Sequence, residues 1–395
     1  MEHRALIAEL EQAVAPELEA LSHFLYTHPE LGMEERQAVR CLTDYLEDKG
    51  FALERCWQGM ETAFAARWGQ KGPCIAFLAE YDALPGYGPG GQDNGHACGH
   101  NWIAATTVGA AVVLKEACLR LQLPVRILLA GCPAEETFGS KSLLCRQGAF
   151  DGVDCALQAH LSEETNLYHR SLALTAMEIR YFGKAAHASA APWDGINALD
   201  AVQLFYAGVG ALRQQLRPDV RLHGVIREGG AAANSIPERA SCLYYARAAR
   251  RQDLDRVVER LRDVARGAAL MTGARLEITT PEQPMDELVH IPALQDLLDG
   301  LLRQEGLHSI TREEEAARWV GSTDVGNVSR VCPTAFVEIG LKGFCGHTAE
   351  ALALADGPAY PSLHSAVRVL AAAGLRVAAE PDLRERLWKE HRQRL

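Results

Sequence analysis

The chain has 395 residues, 48% of them hydrophobic and 23% charged, with 40 Lys and Arg against 51 Asp and Glu for a net charge of −11. At roughly 150 residues per domain this length is two or three domains, and the ordinary composition excludes a disordered, collagen-like or low-complexity chain. The acidic balance sets it apart from nucleic-acid binders, which carry a basic surplus.

The first 55 residues read as helices. Met1–Leu21 is amphipathic, and Glu2, Glu9 and Glu11 interrupt the apolar run that a secretory signal would need. A break at His28-Pro29-Glu30-Leu31-Gly32 precedes helical spacing over Arg36–Lys49. Strands are predicted at Thr62–Trp68 and Pro73–Leu78, followed by a loop rich in Gly and Pro from Pro85 to Gly95. Helical spacing resumes over Ile103–Leu121, and its apolar run, Ile103–Leu114, is too short to span a bilayer. A strand (Val125–Ala130), a helix (Leu143–Phe150) and a strand (Cys155–Ala159) come next. This alternation predicts a parallel sheet covered by helices.

Near residue 172 the pattern changes to strand (Leu172–Tyr181), helix (Gly195–Arg213), strands (Arg221–Arg227 and Ser241–Ala248), helix (Gln252–Met271) and strand (Arg275–Thr280). That βαββαβ order is a small two-layer α+β unit. Afterwards longer helices and apolar strands such as Ala335–Ile339 return. The expected fold class is α/β: a large domain with a mostly parallel sheet between helices, residues 1–172 and 284–395, interrupted by a smaller α+β domain, residues 173–283. Eleven cysteines without a framework spacing point to a reducing, cytoplasmic setting.

Open α/β sheets bind ligands beyond the carboxyl ends of their strands. Three consecutive predicted strands end in ionisable groups: Glu80 and Asp82, Glu135 and Glu136, and His160. Any one of them reads equally well as a helix cap or a solvated acid; three in a row read as a site. Between them, His96-Ala97-Cys98-Gly99-His100 sets a thiol and an imidazole two residues apart, close enough to share one metal. The vicinal acids Glu135 and Glu136 point in different directions beyond a strand, so one can ligate while the other takes a proton. Asp82 suits the outer acceptor of a ligating histidine. His347, in Gly343-Phe344-Cys345-Gly346-His347-Thr348, is by itself as readily a surface histidine as a ligand.

Taken together these segments resemble the co-catalytic metallopeptidase family of aminoacylase and carboxypeptidase G, in its amidohydrolase branch with an HxCGH motif. The resemblance runs from His28-Pro29-Glu30-Leu31-Gly32 through Ala79–Pro85, His96–Asn101, Pro133–Glu136 and His160. It continues through Gly183–Ala188, Asn234-Ser235-Ile236-Pro237, Gly321–Ser329 and His347. It implies two divalent metal ions (zinc or manganese, with cobalt an option), held by Cys98, His100, Glu136, His160 and His347. Glu135 would be the general base and Asp82 would orient a ligand. Many relatives carry a histidine ligand where this chain has Glu80; in this branch that ligand is absent, so Glu80 is not counted. The inserted unit matches the family's lid, which also builds a homodimer. There His187 would stabilise the oxyanion, across the dimer in the partner subunit's site as in relatives or by lid closure within one chain, and Asn234 and Arg247 would hold the substrate's carboxylate.

The function expected is hydrolysis of the amide bond of a dipeptide or N-acyl amino acid with a free α-carboxylate, with aminobenzoyl-glutamate as an alternative substrate and no nucleic-acid or membrane partner. Two readings from other classes stay open: a cysteine hydrolase with Cys98 as nucleophile and His160 as base, and a non-catalytic binding protein on the same fold.

Overall fold

A computed structural model describes residues 3–88, 91, 93–318 and 320–395. Pro89, Gly90 and Gln92, in the predicted Pro85–Gly95 loop, lie outside the described residues. Among the described residues there are ten strands: β1 (Ala52–Arg55), β2 (Phe64–Trp68), β3 (Cys74–Ala79), β4 (Arg126–Gly131), β5 (Cys155–Ser162), β6 (Ala173–Phe182), β7 (Arg221–Glu228), β8 (Arg239–Ala248), β9 (Arg275–Thr279) and β10 (Thr334–Gly340). They form two sheets, one in each of two units.

The larger unit comprises Met1–Arg170, Leu288–Val320 and Asp324–Leu395. Its sheet has the order β1-β2-β4-β3-β5-β10. The pairs β4–β3, β3–β5 and β5–β10 are parallel, and β2 runs against the rest. The central strands are short apolar runs buried on both faces, as parallel strands between helix layers must be. Helix His100–Leu121 is the middle of this core, with Trp102, Ile103, Val108 and Leu114 fully buried. It packs against helices Arg4–Thr27 and Tyr360–Ala379. Gly109 permits that approach: a Cβ there would stand 2.5 Å from Leu18 Cδ1 and 2.9 Å from Val367 Cγ2. The helix has the length and hydropathy of a membrane span, but 83% of its apolar window is buried inside the fold.

Two local expectations shift. Residues 52–55, read as helical, form β1, because Ala52–Arg55 finds an antiparallel partner in Phe64–Arg67. The helix expected at Leu143–Phe150 runs instead over Ser140–Arg146. Its start is drawn back by Asp324, whose Oδ2 accepts the Lys141 amide at 2.9 Å, a partner that no local spacing announces.

The smaller unit, Ser171–Glu287 with Gly321–Thr323, holds the antiparallel sheet β7-β8-β6-β9. Helices Ala198–Arg213 and Arg251–Thr272 pack on it and on each other, around Phe205, Tyr244, Leu254 and Leu261. Asn197 caps the first of these helices by accepting from the amides of Leu199 (2.9 Å) and Asp200 (3.3 Å). Segment Gly321–Thr323 is tied in by Leu172 N–H donating to the Gly321 carbonyl at 2.8 Å. Strand β7 is an edge, paired on one side only, and exposes Val225 (58%) and Ile226 (49%).

Candidate active site

Because β3, β4, β5 and β10 run the same way, their carboxyl ends share one edge of the sheet. Glu80 and Asp82 follow β3, Glu135 and Glu136 follow β4, and His160 is near the end of β5. His347 lies in the loop after β10, its amide donating to the Ala97 carbonyl at 2.9 Å. His100 is the first residue of the central helix.

The donor atoms converge. Ligand atoms of Cys98, His100 and His160 lie within 4.8 Å of one another, and so do those of Cys98, Glu136 and His347 and those of His100, Glu135 and Glu136. Cys98 Sγ is 3.7 Å from His160 Nε2, and His347 Nε2 is 3.0 Å from Glu136 Oε1. The far sides of the rings are already engaged. His100 Nδ1 is 2.9 Å from Asp82 Oδ1, and His160 Nδ1 is 2.7 Å from the Leu161 carbonyl. In the neutral rings each Nδ1 therefore carries the proton and each Nε2 offers a lone pair. The buried His100 Nε2 has no hydrogen-bond partner. An unpartnered imidazole nitrogen facing a thiol and carboxylates fits a cation, and the Cys, His and carboxylate set suits zinc, manganese or cobalt.

Burial, then the charge of Glu136, pushes the Cys98 thiol well above its usual range. Burial also lowers His160. The pair is in contact but not poised as thiolate and imidazolium, the state a cysteine nucleophile needs. A thiolate here requires a neighbouring cation.

Beside the donors lies a second cluster. Lys141, fully buried, places Nζ 2.6 Å from Glu80 Oε1 and 2.5 Å from Asp324 Oδ1. Burial works against its ammonium, but Asp324 and Glu80 outweigh it and hold it well above the usual lysine value. Glu135 stands next to this cluster, one of its oxygens within 4.8 Å of those of Glu80 and Asp324. Burial first, then the charges of Glu80, Glu136 and Asp324, lift the Glu135 carboxyl well above its ordinary range. Glu35 is also buried nearby; its Oε1 accepts the Ala134 amide at 2.8 Å, and burial followed by the charge of Asp82 pushes its carboxyl up to about 7. Lys141 and Glu35 were not singled out from the sequence. A lone lysine before an apolar run carries no spacing signal; Asp324, inside the Gly321–Ser329 segment, and Glu35, three residues after Gly32, were the available hints.

The smaller unit carries the other three expected residues. His187 and Asn234 come together there: His187 bridges Ser235, and the Ala188 amide donates to the Asn234 carbonyl at 3.0 Å. His187 Nδ1 accepts from the amides of Ala190 (3.2 Å) and Ser189 (3.3 Å), which leaves the proton on Nε2 and makes that atom a donor. Both side chains are exposed. Arg247, on β8, donates from Nη1 to Ser322 Oγ at 2.8 Å and lies over the Tyr245 ring at 6.0 Å.

Residues 76–373 match the pattern of the peptidase family M20/M25/M40. The chain belongs to that family. It is 35% identical over 404 residues to the Xaa-Arg dipeptidase of Mus musculus, covering 98% of this chain and 92% of that protein. It is 29% identical over 437 residues to a p-aminobenzoyl-glutamate hydrolase polypeptide of Escherichia coli, covering 93% of this chain and 90% of that one. Its fold is similar to that of a dinuclear metal-binding M20 peptidase from Bacillus subtilis, with a TM-score of 0.64 at 20% identity over 92% of this chain and 99% of that chain. Membership in this family makes the protein a hydrolytic enzyme.

Proposed function

We propose that the protein is a two-metal dipeptidase or N-acyl-amino-acid amidohydrolase that cleaves the amide bond to an amino acid with a free α-carboxylate. The observation that carries this reading is the convergence of Cys98, His100, Glu136, His160 and His347 at one sheet edge, with Glu135 among them. When bound, divalent ions at these donors would supply Lewis acidity toward water and the scissile carbonyl. Glu135 takes the proton of the attacking water and later delivers it to the leaving amine as the C–N bond breaks. Asp82 holds the His100 ring by its Nδ1–H. His187 donates from Nε2 to the developing oxyanion. Arg247, with Asn234, pairs with the substrate carboxylate, to which a guanidinium offers a two-point match. The similarity to Xaa-Arg dipeptidases favours dipeptides with a basic carboxyl-terminal residue, and that to the Escherichia coli hydrolase favours p-aminobenzoyl-glutamate as the second substrate to try.

A homodimer through the smaller unit is part of the reading. Its support is the one-sided pairing of β7 with Val225 and Ile226 exposed, an edge of the kind that natural proteins otherwise protect. Reciprocal donation of His187 across such a dimer is tested by mixing His187→Ala and Glu135→Gln subunits. Activity returning toward about a quarter of wild type supports it, and no recovery after proven subunit exchange removes it.

The experiment for the whole reading joins metal analysis to a screen of Xaa-Arg and Xaa-Lys dipeptides, p-aminobenzoyl-glutamate and N-acetyl amino acids. Metal-dependent hydrolysis, abolished by chelator and restored by zinc or manganese, is expected. Cys98→Ala should lose bound metal. Undiminished turnover after complete chelation, or full metal with no activity in Cys98→Ala, would revive the cysteine nucleophile.

A further inference from the structure

The segment from His28 to Glu35 has no donor among the proposed ligands, yet it grips both acidic turns of the site. Glu30 accepts the Ala83 amide on its carbonyl at 2.8 Å, and Leu31 bridges Ala83, directly after Asp82. The Glu30 carboxylate meanwhile accepts the amides of Gln37 (2.8 Å) and Ala38 (3.0 Å) and anchors the segment to helix Arg36–Asp48. Gly32 lies against the second turn: a Cβ there would stand 2.6 Å from Thr137 Oγ1 and 2.8 Å from Ala134 Cβ.

Ala134 is left-handed, with φ +53. A residue with a Cβ pays about 1 kcal/mol or more for that conformation, so something must hold it. Its carbonyl accepts from the amides of Phe138 and Gly139, both at 2.9 Å. Two residues on, the Glu136 amide donates to Asp82 Oδ2 at 3.0 Å. The Ala134 amide itself has Glu35 Oε1 at 2.8 Å. Burying a carboxyl is costly, and a leucine of similar size would pack there at less cost; what the carboxyl adds is an acceptor for the Ala134 amide, with the Thr62 hydroxyl and its own amide as further neighbours.

We infer that Glu35 is a positioning residue: by accepting the Ala134 amide it holds the left-handed turn that aims the Glu135 carboxylate, while Asp82 fixes the other end of the same turn. The inference rests on the reading of Glu135 as general base. A misplacement of a base by about 1 Å costs on the order of 10²-fold in rate, so Glu35 acts on kcat through Glu135 without touching substrate.

The test measures kcat, KM and thermal midpoint on the best-cleaved dipeptide for wild type, Glu35→Ala, Glu35→Gln and Glu35→Ala/Ala134→Gly. Deuterium exchange of the 131–139 segment is followed in parallel. Glu35→Ala should lose about 10–100-fold in kcat with KM little changed, and its 131–139 segment should exchange faster. Glu35→Gln keeps an acceptor at the same place and should retain kcat and the slow exchange. Glycine at 134 adopts the left-handed turn without strain, so the double variant should regain kcat without regaining thermal midpoint. A merely structural role predicts instead that kcat follows the midpoint. Unchanged kcat in Glu35→Ala, or a loss in Glu35→Gln as large as in Glu35→Ala, overturns the inference. If Glu35→Ala does not fold, Glu35→Gln decides: retained kcat and exchange support the acceptor role, and a large loss ends it. The exchange arm needs no substrate, so a failure of the dipeptidase reading remains distinguishable from a failure of the clamp.

Discussion

Glu80 follows β3 and Glu136 follows the neighbouring β4 in the larger unit, and their charges are met in different ways. Glu136 lies among imidazoles and a thiol, with His347 Nε2 3.0 Å from its Oε1 and the unpartnered His100 Nε2 3.8 Å away. Glu80 and Asp324 close instead on the ammonium of Lys141, 2.6 and 2.5 Å from it. One cluster gathers imidazole, thiol and carboxylate donor atoms, which suit an external cation that displaces their protons. The other is built around an internal cation that already occupies the space between its carboxylates. Glu80, which the sequence reading leaves out of the ligand set, is engaged from both sides: Lys141 Nζ holds its Oε1 at 2.6 Å, and its Oε2 lies 3.8 Å from His100 Nε2. Glu135 stands close to both clusters, within 4.8 Å of His100 and Glu136 donor atoms and of the Glu80 and Asp324 carboxylates.

The largest effect expected lies on Glu135. Glu135→Gln removes the proton acceptor while keeping nearly the same shape, so kcat should fall about 10²–10⁴-fold with metal content kept; turnover and metal analysis check it, and near-normal kcat would take the base role away. Next comes Lys141. Lys141→Met strands Glu80 and Asp324 as buried charges, which should cost about 3–5 kcal/mol of stability. Urea unfolding measures this, and adding Asp324→Asn should restore part of the loss. Unaltered stability would mean that the internal pair is not what holds these carboxylates. Asp82→Asn tests the other cluster more gently: with every donor left in place, metal affinity should drop about 10–100-fold because the His100 ring and the Glu136 amide share one neutral amide oxygen in place of a carboxylate, as competition with a chelating dye would show.

The smallest effect is far from the site, at His364, and tells a true internal ion pair from a partly solvated one. His364 Nδ1 is 2.7 Å from Glu11 and its Nε2 is 2.9 Å from Glu19, while Arg368 also pairs with Glu11. The hydrogen bond to Glu11 raises His364 above its ordinary 6.5. Glu11 is lowered below 4.5, the bonds to His364 and Arg368 outweighing its burial. The histidine's contribution is therefore complete below about pH 6.5 and fades as pH rises through the raised value; the carboxylate's fades as pH falls below about 4.5. His364→Gln should cost under about 1 kcal/mol at pH 5.5 and nothing at pH 9. A penalty that grows with pH would reverse the assignment.

Several residues of the candidate site stand in local patterns of the sequence. Cys98 and His100 two residues apart, and Glu135 next to Glu136 after an apolar strand, are local patterns, and a local pattern survives in one dimension. The βαββαβ order of the smaller unit was legible for the same reason, since periodicity of 2 or 3.6 is a property of short segments. Lys141 was not. Its partners are Glu80 and Asp324, the second 183 residues away, and a buried ammonium looks in sequence like any surface lysine. Nor was β1, whose strand character comes from pairing with β2 and not from its own residues.

The sequence by itself offered the candidate donor types, their order and the α/β class, because these rest on residue chemistry and on hydrophobic periods that need no partner; which of Glu135 and Glu136 is the base it left to the family resemblance. Only the tertiary structure decided which acids face Lys141 and which face the imidazoles, which ring nitrogens are engaged by neighbours, and that the Ala134 amide meets Glu35. Those are properties of pairs of residues distant in the chain, and their distances exist only once the strand ends have been brought to one edge of the sheet.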